Sequence, residues 1–324
     1  MMDRQRTALV TGASGQDGTY LCRLLVAEGA HVVGTVRPSS SSRLVDGVER
    51  RDCDLSSQEA VEALLRETGP DEIYNLAAES FSPACWERPA EATDLLGRSV
   101  LLLLEAMRRL CPGAGLFQAS SSEMFGSPAQ FPQDETTALC PETIYGIGKA
   151  FAHRACAIYR SRYAIRAVTG ILFAHESPLR RPEFFTKKVT RAVARISAGI
   201  EREVVLGDLD ARRDWTVAGD FARGMPLALR AASADDYVFA SGELHSIREF
   251  CAIAFGRVGL DWRDHVRSDP ALLRVDPRTI VGNPAKAASV LGWKPTMSFA
   301  DLVHHLVDHE IGVVQRAPDA AAGH

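Results

Sequence analysis

The sequence predicts an α/β fold, a doubly wound parallel sheet of the Rossmann type followed by a smaller, mostly α-helical lobe. Through the first half of the 324-residue chain, short apolar runs alternate with longer segments of helical periodicity. Several of these runs are apolar at every position, which is typical of parallel strands that helices cover on both faces. A glycine-rich turn joins the first run to the first helical segment. Together these patterns predict repeated βαβ units.

The individual elements of the first half follow from that alternation. The predicted strands are Thr7–Thr11, His31–Val36, Glu72–Leu76, Gly115–Ala119 and Ala167–Leu172. The predicted helices between them are Gly18–Glu28, Ser56–Glu67, Ala90–Leu110 and Tyr145–Tyr163. Because βαβ connections are right-handed, these units form one sheet whose ligands bind at the carboxyl ends of the strands.

Beyond residue 173 the apolar pattern is less regular, and helical segments separated by turns dominate. The predicted helices there are Phe184–Ala198, Val217–Ala232, Ser246–Phe255, Pro284–Leu291 and Ser298–Val314. We therefore expect a first domain over residues 1–173 and a second lobe over 174–314, from which a strand or helix can return to the first domain. Residues 315–324 are expected to form a frayed tail.

Composition excludes several classes of protein. The 37 basic and 41 acidic residues leave a net charge of −4, so no overall positive field attracts nucleic acid or an anionic membrane. The seven cysteines show no Cys-x-x-Cys spacing, which argues against a disulfide framework and a zinc site, and no metal is predicted. No apolar run is long enough for a signal peptide or a membrane span. We expect a cytoplasmic protein.

The glycine-rich turn between the first strand and the first helix predicts a cofactor site. Its glycines are Gly12, Gly15 and Gly18, with Ser14, Gln16 and Asp17 between them. Glycines allow a tight turn and let the backbone approach a pyrophosphate at the N-terminus of a helix. This spacing is typical of the extended short-chain dehydrogenase/reductase superfamily. We favour dinucleotide binding by these six residues over a plain βα turn.

The end of the second predicted strand indicates which dinucleotide binds. An Asp or Glu there would bind a free ribose 2′-hydroxyl, but the chain has Arg37 followed, after one proline, by four serines. Guanidinium and hydroxyl groups suit a 2′-phosphate, so NADP is predicted rather than NAD. Arg43 is nearly as well explained as a solvated loop residue. Asp54 and Leu55 end a further short run and could contact the adenine, although an ordinary turn aspartate would look the same.

Two groups of polar residues carry the predicted chemistry. Tyr145 and Lys149 are four residues apart, on one face of a predicted helix. An ammonium near a phenol stabilises the phenolate and lowers its pKa, which makes tyrosine a usable base. The segment from Ser120 to Glu123 follows a strand, where its hydroxyls and carboxylate could face a substrate. The same segment also matches a helix-capping pattern.

Longer stretches carry a family resemblance. They are residues 11–21 (TGASGQDGTYL), 74–78 (YNLAA), 122–126 (SEMFG), 170–173 (GILF), 175–178 (HESP), 208–215 (DLDARRDW) and 282–287 (GNPAKA). In these stretches the chain resembles the GDP-mannose 4,6-dehydratases, which belong to the extended short-chain dehydrogenase/reductase superfamily. The resemblance covers nearly the whole chain.

The resemblance implies a lyase that acts on GDP-mannose or a related GDP-sugar with tightly held NADP. Tyr145 would take the proton of the C4 hydroxyl as C4 is oxidised, supported by Lys149, while Ser121 bonds the C4 oxygen. Glu123 would take the C5 proton and assist the loss of water across C5–C6. Reduction at C6 would then regenerate NADP⁺ and give a 4-keto-6-deoxy sugar nucleotide.

The resemblance also implies binding residues. For the cofactor it adds Leu76, Ala77 and Ala78, together with Tyr145 and Lys149. For the nucleotide sugar it implies Ser80, Ser121, Glu176, Lys188, Arg213 and Arg274, with cations at the diphosphate. Several substrate-facing positions depart from the family pattern: Ala174 replaces an asparagine, Glu79 replaces a glutamine and brings a negative charge near the sugar, and Asp276 follows Arg274 in an altered segment. The sugar and the nucleobase therefore stay open.

Other activities fit parts of the same pattern. A nucleotide-sugar 4-epimerase or decarboxylase of the superfamily would share the glycine turn, the tyrosine and the lysine, and a non-catalytic NADP-binding regulator would share the turn. By resemblance we expect a homodimer or homotetramer that pairs through the helices over Ala90–Leu110 and Tyr145–Tyr163. Their apolar faces could equally be buried within one subunit.

Overall fold

The computed structural model describes residues 4–38, 40–269 and 280–316. Its strands, in chain order, are β1 (Thr7–Thr11), β2 (His31–Val36), β3 (Val48–Asp52), β4 (Glu72–Asn75), β5 (Gly115–Ser121), β6 (Arg166–Leu172), β7 (Ala174–Glu176), β8 (Val204–Leu206), β9 (Arg212–Arg213), β10 (Trp215–Val217), β11 (Asp236–Phe239), β12 (His245–Ser246) and β13 (Val266–Ser268). Seven of them form a central sheet in the order β11-β6-β5-β4-β1-β2-β3, and every neighbouring pair is parallel. The predicted doubly wound fold is confirmed.

The predicted helices are present, one of them in divided form, together with a short helix, Ala84–Glu87, that was not predicted. They are α1 (Gln16–Ala27), α2 (Gln58–Thr68), α3 (Ala84–Glu87), α4 (Pro89–Thr93), α5 (Ser99–Leu110), α6 (Ile144–Tyr163), α7 (Phe185–Ser197), α8 (Ala218–Leu229), α9 (Ile247–Gly256), α10 (Ala285–Leu291) and α11 (Phe299–Arg316). The single helix predicted over Ala90–Leu110 is divided, because a π-helical stretch over Asp94–Arg98 separates α4 from α5. None of the helices in the described ranges is long and apolar enough to cross a lipid bilayer.

Helices cover both faces of the sheet, which explains the fully apolar strands. On one face Leu21 of α1 and Phe221 of α8 pack against the sheet in one core with Trp293. On the other face Leu64 of α2 and Leu104 of α5 share a second core with strand residues. Each fully buried side chain of this size contributes about 1.5–3 kcal/mol of hydrophobic stabilisation.

The sheet takes its seventh strand from beyond residue 173. β11 pairs with β6, with Phe239 opposite Leu172, and α8 packs against α1. The predicted second lobe allowed for such a return without placing it. The division at residue 173 itself stays a prediction.

The rest of the second lobe is built around an aromatic core. Trp215 lies within 5.8 Å of Phe250 and 5.6 Å of Phe299, measured between ring centroids. This core is closed by α7, α9 and α11. Three two-stranded sheets, β10-β7, β12-β9 and β13-β8, accompany the helices. They are too short to produce an alternating pattern in the sequence.

The order of the strands creates a crevice at one edge of the sheet. β1 has β2 on one side and β4 on the other, so the direction of winding reverses between β1 and β4. The segments that follow β1 and β4 diverge from this point, because α1 lies on one face of the sheet and α5 on the other. Ligands of doubly wound sheets bind there.

Candidate active site

The glycine turn is built against the end of β4. Gly12 has a φ of +67°, and a Cβ at this position would lie 2.9 Å from the amide nitrogen of Ala77. A Cβ at Gly18 would lie 2.3 Å from the carbonyl oxygen of Gly12, so both positions require glycine. The Thr11 hydroxyl accepts hydrogen bonds from the amides of Leu76 and Ala77, each at 3.1 Å. The structure therefore brings the predicted cofactor residues of both segments together.

The N-terminus of α1 suits a pyrophosphate. Gly15 is the residue that precedes the helix, and no side chain of the described residues caps it. The first amide groups of α1 are thus available to an anion, which the helix dipole also favours. Ser14 and Gly15 are exposed at this position. This backbone arrangement fits the phosphates of a dinucleotide.

Gln16 and Asp17 bind the segment around β7. Gln16 accepts a hydrogen bond from the Ser177 hydroxyl at 2.8 Å, and its amide nitrogen donates to the carbonyl oxygen of His175 at 3.1 Å. The Asp17 carboxylate lies 2.9 Å from Nε2 of His175. These contacts tie the glycine turn to the second lobe. The cofactor role of the two side chains stays a prediction.

The charges of this pair are mutually stabilised. Burial acts to raise the pKa of Asp17, but the charge and hydrogen bond of His175 outweigh it and hold that pKa below its usual value. Burial acts to lower the pKa of His175, and Asp17 outweighs it in the other direction. Sequence reasoning quoted His175 for the resemblance alone. Its contact with Asp17 joins residues 158 positions apart.

The predicted 2′-phosphate site lies after β2. Arg37 is exposed there, and Arg50 of β3 fixes the adjoining loop by donating to the carbonyl oxygens of Ser40 and Ser42 at 2.6 and 2.8 Å. Arg50 was missed because nothing in the sequence pairs it with the serine loop. Asp54–Leu55 follows β3 at the same edge of the sheet.

The predicted catalytic residues meet where β5 ends and α6 begins. They are Ser121, Glu123, Tyr145 and Lys149. Thr143, which sequence reasoning missed, joins the two elements. Its hydroxyl donates to Oε2 of Glu123 at 2.9 Å and accepts from the amide of Gly146 at 2.9 Å, which caps α6. A threonine before a helical segment is the expected signal for such a cap.

Burial sets the protonation of the catalytic pair. Lys149 is 4% exposed, its Nζ donates to the carbonyl oxygen of Ala119 at 2.8 Å, and burial lowers its pKa to about 8. Burial, followed by the charge of Glu123, raises the pKa of Tyr145 well above 10, and a hydrogen bond with Ser121 only partly opposes this. The expected lowering of the tyrosine pKa by the lysine is therefore wrong for this structure. Desolvation outweighs an ammonium that lies 5.7 Å from the ring centroid.

Glu176 and Ser80, assigned to the substrate, lie in different surroundings. Glu176 is buried, accepts a hydrogen bond from the Thr186 hydroxyl at 2.6 Å and lies 3.3 Å from Nε of Arg180. These contacts hold the start of α7 against β7. Ser80 is exposed beyond the end of β4. Whether either binds substrate stays a prediction.

The predicted diphosphate cations lie in the second lobe. Lys188 is on α7, and its Nζ donates to the carbonyl oxygen of Val205 at 2.7 Å. Arg213 is in β9, which pairs with β12, and its guanidinium donates to the carbonyl oxygen of Arg212 at 2.7 Å. Arg274 lies outside the described residues, as does Asp276. Within the described ranges no three His, Cys, Asp or Glu side chains cluster so as to hold a metal ion.

A match to a protein-family model shows the family of this chain. The model described as GDP-mannose 4,6 dehydratase matches residues 9–306. This chain belongs to the GDP-mannose 4,6-dehydratase family. The resemblance seen in the motifs is therefore confirmed.

Individual members of the dehydratase family align with nearly the whole chain. GDP-mannose 4,6 dehydratase 1 of Arabidopsis thaliana is 40% identical over an alignment of 331 positions, gaps included, which covers 96% of this chain and 91% of the relative. GDP-mannose 4,6 dehydratase of Homo sapiens is 33% identical over an alignment of 350 positions, which covers 98% of this chain and 94% of the relative. Among solved structures, UDP-glucose 4-epimerase of Thermus thermophilus in complex with NAD is 26% identical, with a TM-score of 0.82, and the match covers 95% of this chain and all of that one.

Arg180 is a further residue of this dehydratase-family site that sequence reasoning missed. Its guanidinium carbon lies 3.5 Å from the ring centroid of Phe184, and its positive charge acts to lower the pKa of both Asp17 and Tyr145. Arg180 thus adds a cation within electrostatic range of both Asp17 and Tyr145.

Replacing His175 with glutamine tests the pair that ties the glycine turn to β7. Because the pKa of His175 is raised above 6.5 and that of Asp17 is lowered, the charged pair stabilises the fold fully between about pH 4 and pH 6.5, and the contribution of His175 is lost as the pH rises through its folded-state pKa. We expect His175→Gln to lower the free energy of unfolding by about 1–2 kcal/mol near pH 6 and by much less near pH 9. Urea unfolding at the two pH values measures this.

His31→Gln is the matched control, because His31 forms an exposed pair with Glu49 at 2.8 Å. It should change the free energy of unfolding by less than about 0.5 kcal/mol. An equal loss for His175→Gln at both pH values would contradict a charged pair.

Proposed function

We propose that the chain is a nucleotide-sugar 4,6-dehydratase that converts GDP-mannose to a 4-keto-6-deoxy product with tightly held NADP. The observation that carries the proposal is the meeting of Glu123 and Tyr145 at one sheet edge beside the glycine turn, in a chain of this family. Oxidation at C4 needs one proton acceptor, and removal of the C5 proton needs a second. A phenol and a carboxylate on adjacent elements supply both.

The glycine turn, the N-terminus of α1 and Arg37 would hold the cofactor. Gly12 packs closely against Ala77, whereas the backbone of Ser14 and Gly15 is exposed and available to a pyrophosphate. The exposed guanidinium of Arg37 suits a 2′-phosphate. When bound, NADP⁺ supplies the two-electron redox chemistry at C4 and C6 of the sugar.

Tyr145 would remove the proton of the C4 hydroxyl. Its phenol is protonated in this structure because burial raises its pKa, so it works as a base only with positive charge beside it. Lys149, on the same face of α6, supplies part of that charge below about pH 8, and Arg180 supplies a further part. Ser121 acts to lower the pKa of the phenol and would orient the C4 oxygen toward it.

Glu123 would carry out the elimination. The C4 ketone acidifies the C5 proton, which the carboxylate takes, and the same group then protonates the departing C6 hydroxyl, so that one water leaves. Thr143 at 2.9 Å and Ser82 at 3.4 Å hold Oε2 of Glu123 in place. Its second oxygen is then left for the substrate.

Tyr145→Phe and Glu123→Gln test these roles. Each removes one proton-transfer group, so each should lower kcat on GDP-mannose by about 10²- to 10⁴-fold. Product is measured as the 4-keto-6-deoxy nucleotide sugar by mass and by its absorbance in alkali, without added reductant. Tyr159→Phe is the control on the same helix, because the Tyr159 hydroxyl donates to Glu105 at 2.5 Å, away from this site.

The same assay separates the other activities. A 4-epimerase gives a product of unchanged mass, a decarboxylase requires a carboxylated sugar, and a regulator gives no product at all. Full activity in Tyr145→Phe would reject the tyrosine as base.

Arg37→Ala tests the preference for NADP. Loss of a charge-assisted hydrogen bond, worth about 1.5–3 kcal/mol, should raise the Kd for NADP at least tenfold and leave the Kd for NAD unchanged. Titration calorimetry measures both, with Arg66→Ala on α2 as an exposed control. Equal affinity of the unmodified protein for the two dinucleotides would argue against NADP specificity.

An apolar stripe on α6 supports a homodimer. Ile147, Phe151 and Ile158 lie on one face of the helix and are 49%, 47% and 57% exposed, which is unusual for side chains of this size on a monomer surface. We propose that two copies pair through this face, alone or as half of a tetramer. Light scattering should give at least twice the chain mass of 35.2 kDa, and Ile158→Glu should shift it toward the single-chain value. A single-chain mass for the unmodified protein would reject the dimer.

A further inference from the structure

An ion pair crosses the cleft between the segment after β4 and the segment between β7 and α7. The guanidinium of Arg181 donates to Oε1 of Glu79 at 2.9 Å, across 102 positions of sequence. The amide of Phe81 also donates to Oε1, at 3.0 Å. Oε2 accepts no hydrogen bond from the described residues. Oε1 of the carboxylate is therefore held in place, and Oε2 can still accept a hydrogen bond from a ligand.

Aromatic contacts hold the same two segments together. The rings of Phe81 and Phe184 meet edge to face at 5.5 Å. The guanidinium carbon of Arg181 lies 6.0 Å from the first ring centroid and 5.9 Å from the second. These contacts restrict the positions that the Glu79–Arg181 pair can take, so the carboxylate is presented in a defined orientation.

Glu79 lies on the wall of the cleft that carries the chemistry. The hydroxyl of Ser82, three residues further on, reaches Oε2 of Glu123 at 3.4 Å. Burial, followed by the charges of Glu79 and Glu123, raises the pKa of the Cys85 thiol, so both carboxylates lie within electrostatic range of that thiol. The part of the substrate that meets this wall is the reacting hexose.

We propose that Glu79 is a specificity-determining residue for the hexose of the substrate, and that Arg181 is the residue that positions it. The proposal rests on the proposed function, because it takes the hexose to lie beside Glu123. A carboxylate accepts a charge-assisted hydrogen bond, which is stronger than one to a neutral amide, so Glu79 selects a hexose that directs a hydroxyl donor at this position. Arg181 offsets the negative charge, which keeps the pair from repelling the diphosphate of the substrate.

Binding of GDP-mannose and of GDP distinguishes this role from a merely structural one. GDP has no hexose, so Glu79→Gln should raise the Kd for GDP-mannose about five- to tenfold and leave the Kd for GDP unchanged. Arg181→Gln should raise the Kd for GDP-mannose by a smaller factor. The double variant should be no weaker than Glu79→Gln alone, because Arg181 acts through Glu79. Titration calorimetry on the full chain measures all of these.

Asp308→Asn is the matched control. Asp308 pairs with Arg257 at 2.8 Å, with side-chain exposures of 48% and 45%, against 31% and 46% for Glu79 and Arg181. This pair joins α9 to α11, outside the cleft. The variant should leave both dissociation constants unchanged.

The outcomes separate the two proposals. If the unmodified chain binds neither GDP nor GDP-mannose, the proposed function fails and the role of Glu79 fails with it. If it binds both and converts GDP-mannose, but Glu79→Gln changes both dissociation constants equally or changes neither, only the role of Glu79 is overturned. A double variant that is weaker by the product of the two single effects would overturn the positioning role of Arg181.

Discussion

The backbone of Gly12 lies against the backbone of Ala77, and the rest of the site depends on this close approach. Any side chain at position 12 would meet the Ala77 amide at 2.9 Å, in a backbone conformation of positive φ that disfavours side chains. The Thr11 hydroxyl fixes the same segment from beside it. The chain leaving β4 is thereby directed past the end of β5, where Ser82 reaches Glu123. The glycine turn and the segment after β4 thus share one anchor.

A second constraint is desolvation, which raises the pKa of Tyr145 and lowers the pKa of Lys149, both on α6. It keeps the Tyr145 phenol protonated and brings the pKa of Lys149 down to about 8. Positive charge beyond that of Lys149 is therefore needed for Tyr145 to act as a base. Arg180 lies close enough to contribute some of that charge.

Local pattern predicted the fold and the residues that meet where β5 ends and α6 begins, whereas it did not predict the long-range contacts. The buried strands and the Tyr145–Lys149 pair follow from spacing within single elements. Only the end of β3 was predicted from the sequence, because an edge strand with three exposed charged residues lacks an apolar pattern. The Asp17–His175 and Glu79–Arg181 pairs join residues 158 and 102 positions apart. From the sequence alone, Glu79 therefore looked like a negative charge without a partner, whereas the structure pairs it with Arg181.

The most direct test is the fate of a deuterium label at C4 of GDP-mannose, with the purified chain, NADP and no added reductant. A dehydratase that oxidises C4, removes water across C5–C6 and reduces C6 must deliver the label to C6 of a 4-keto product that has lost one water. A product that keeps the deuterium at C4 and has lost no water would contradict dehydration. It would instead assign this tyrosine, lysine and glutamate to another reaction on the nucleotide sugar.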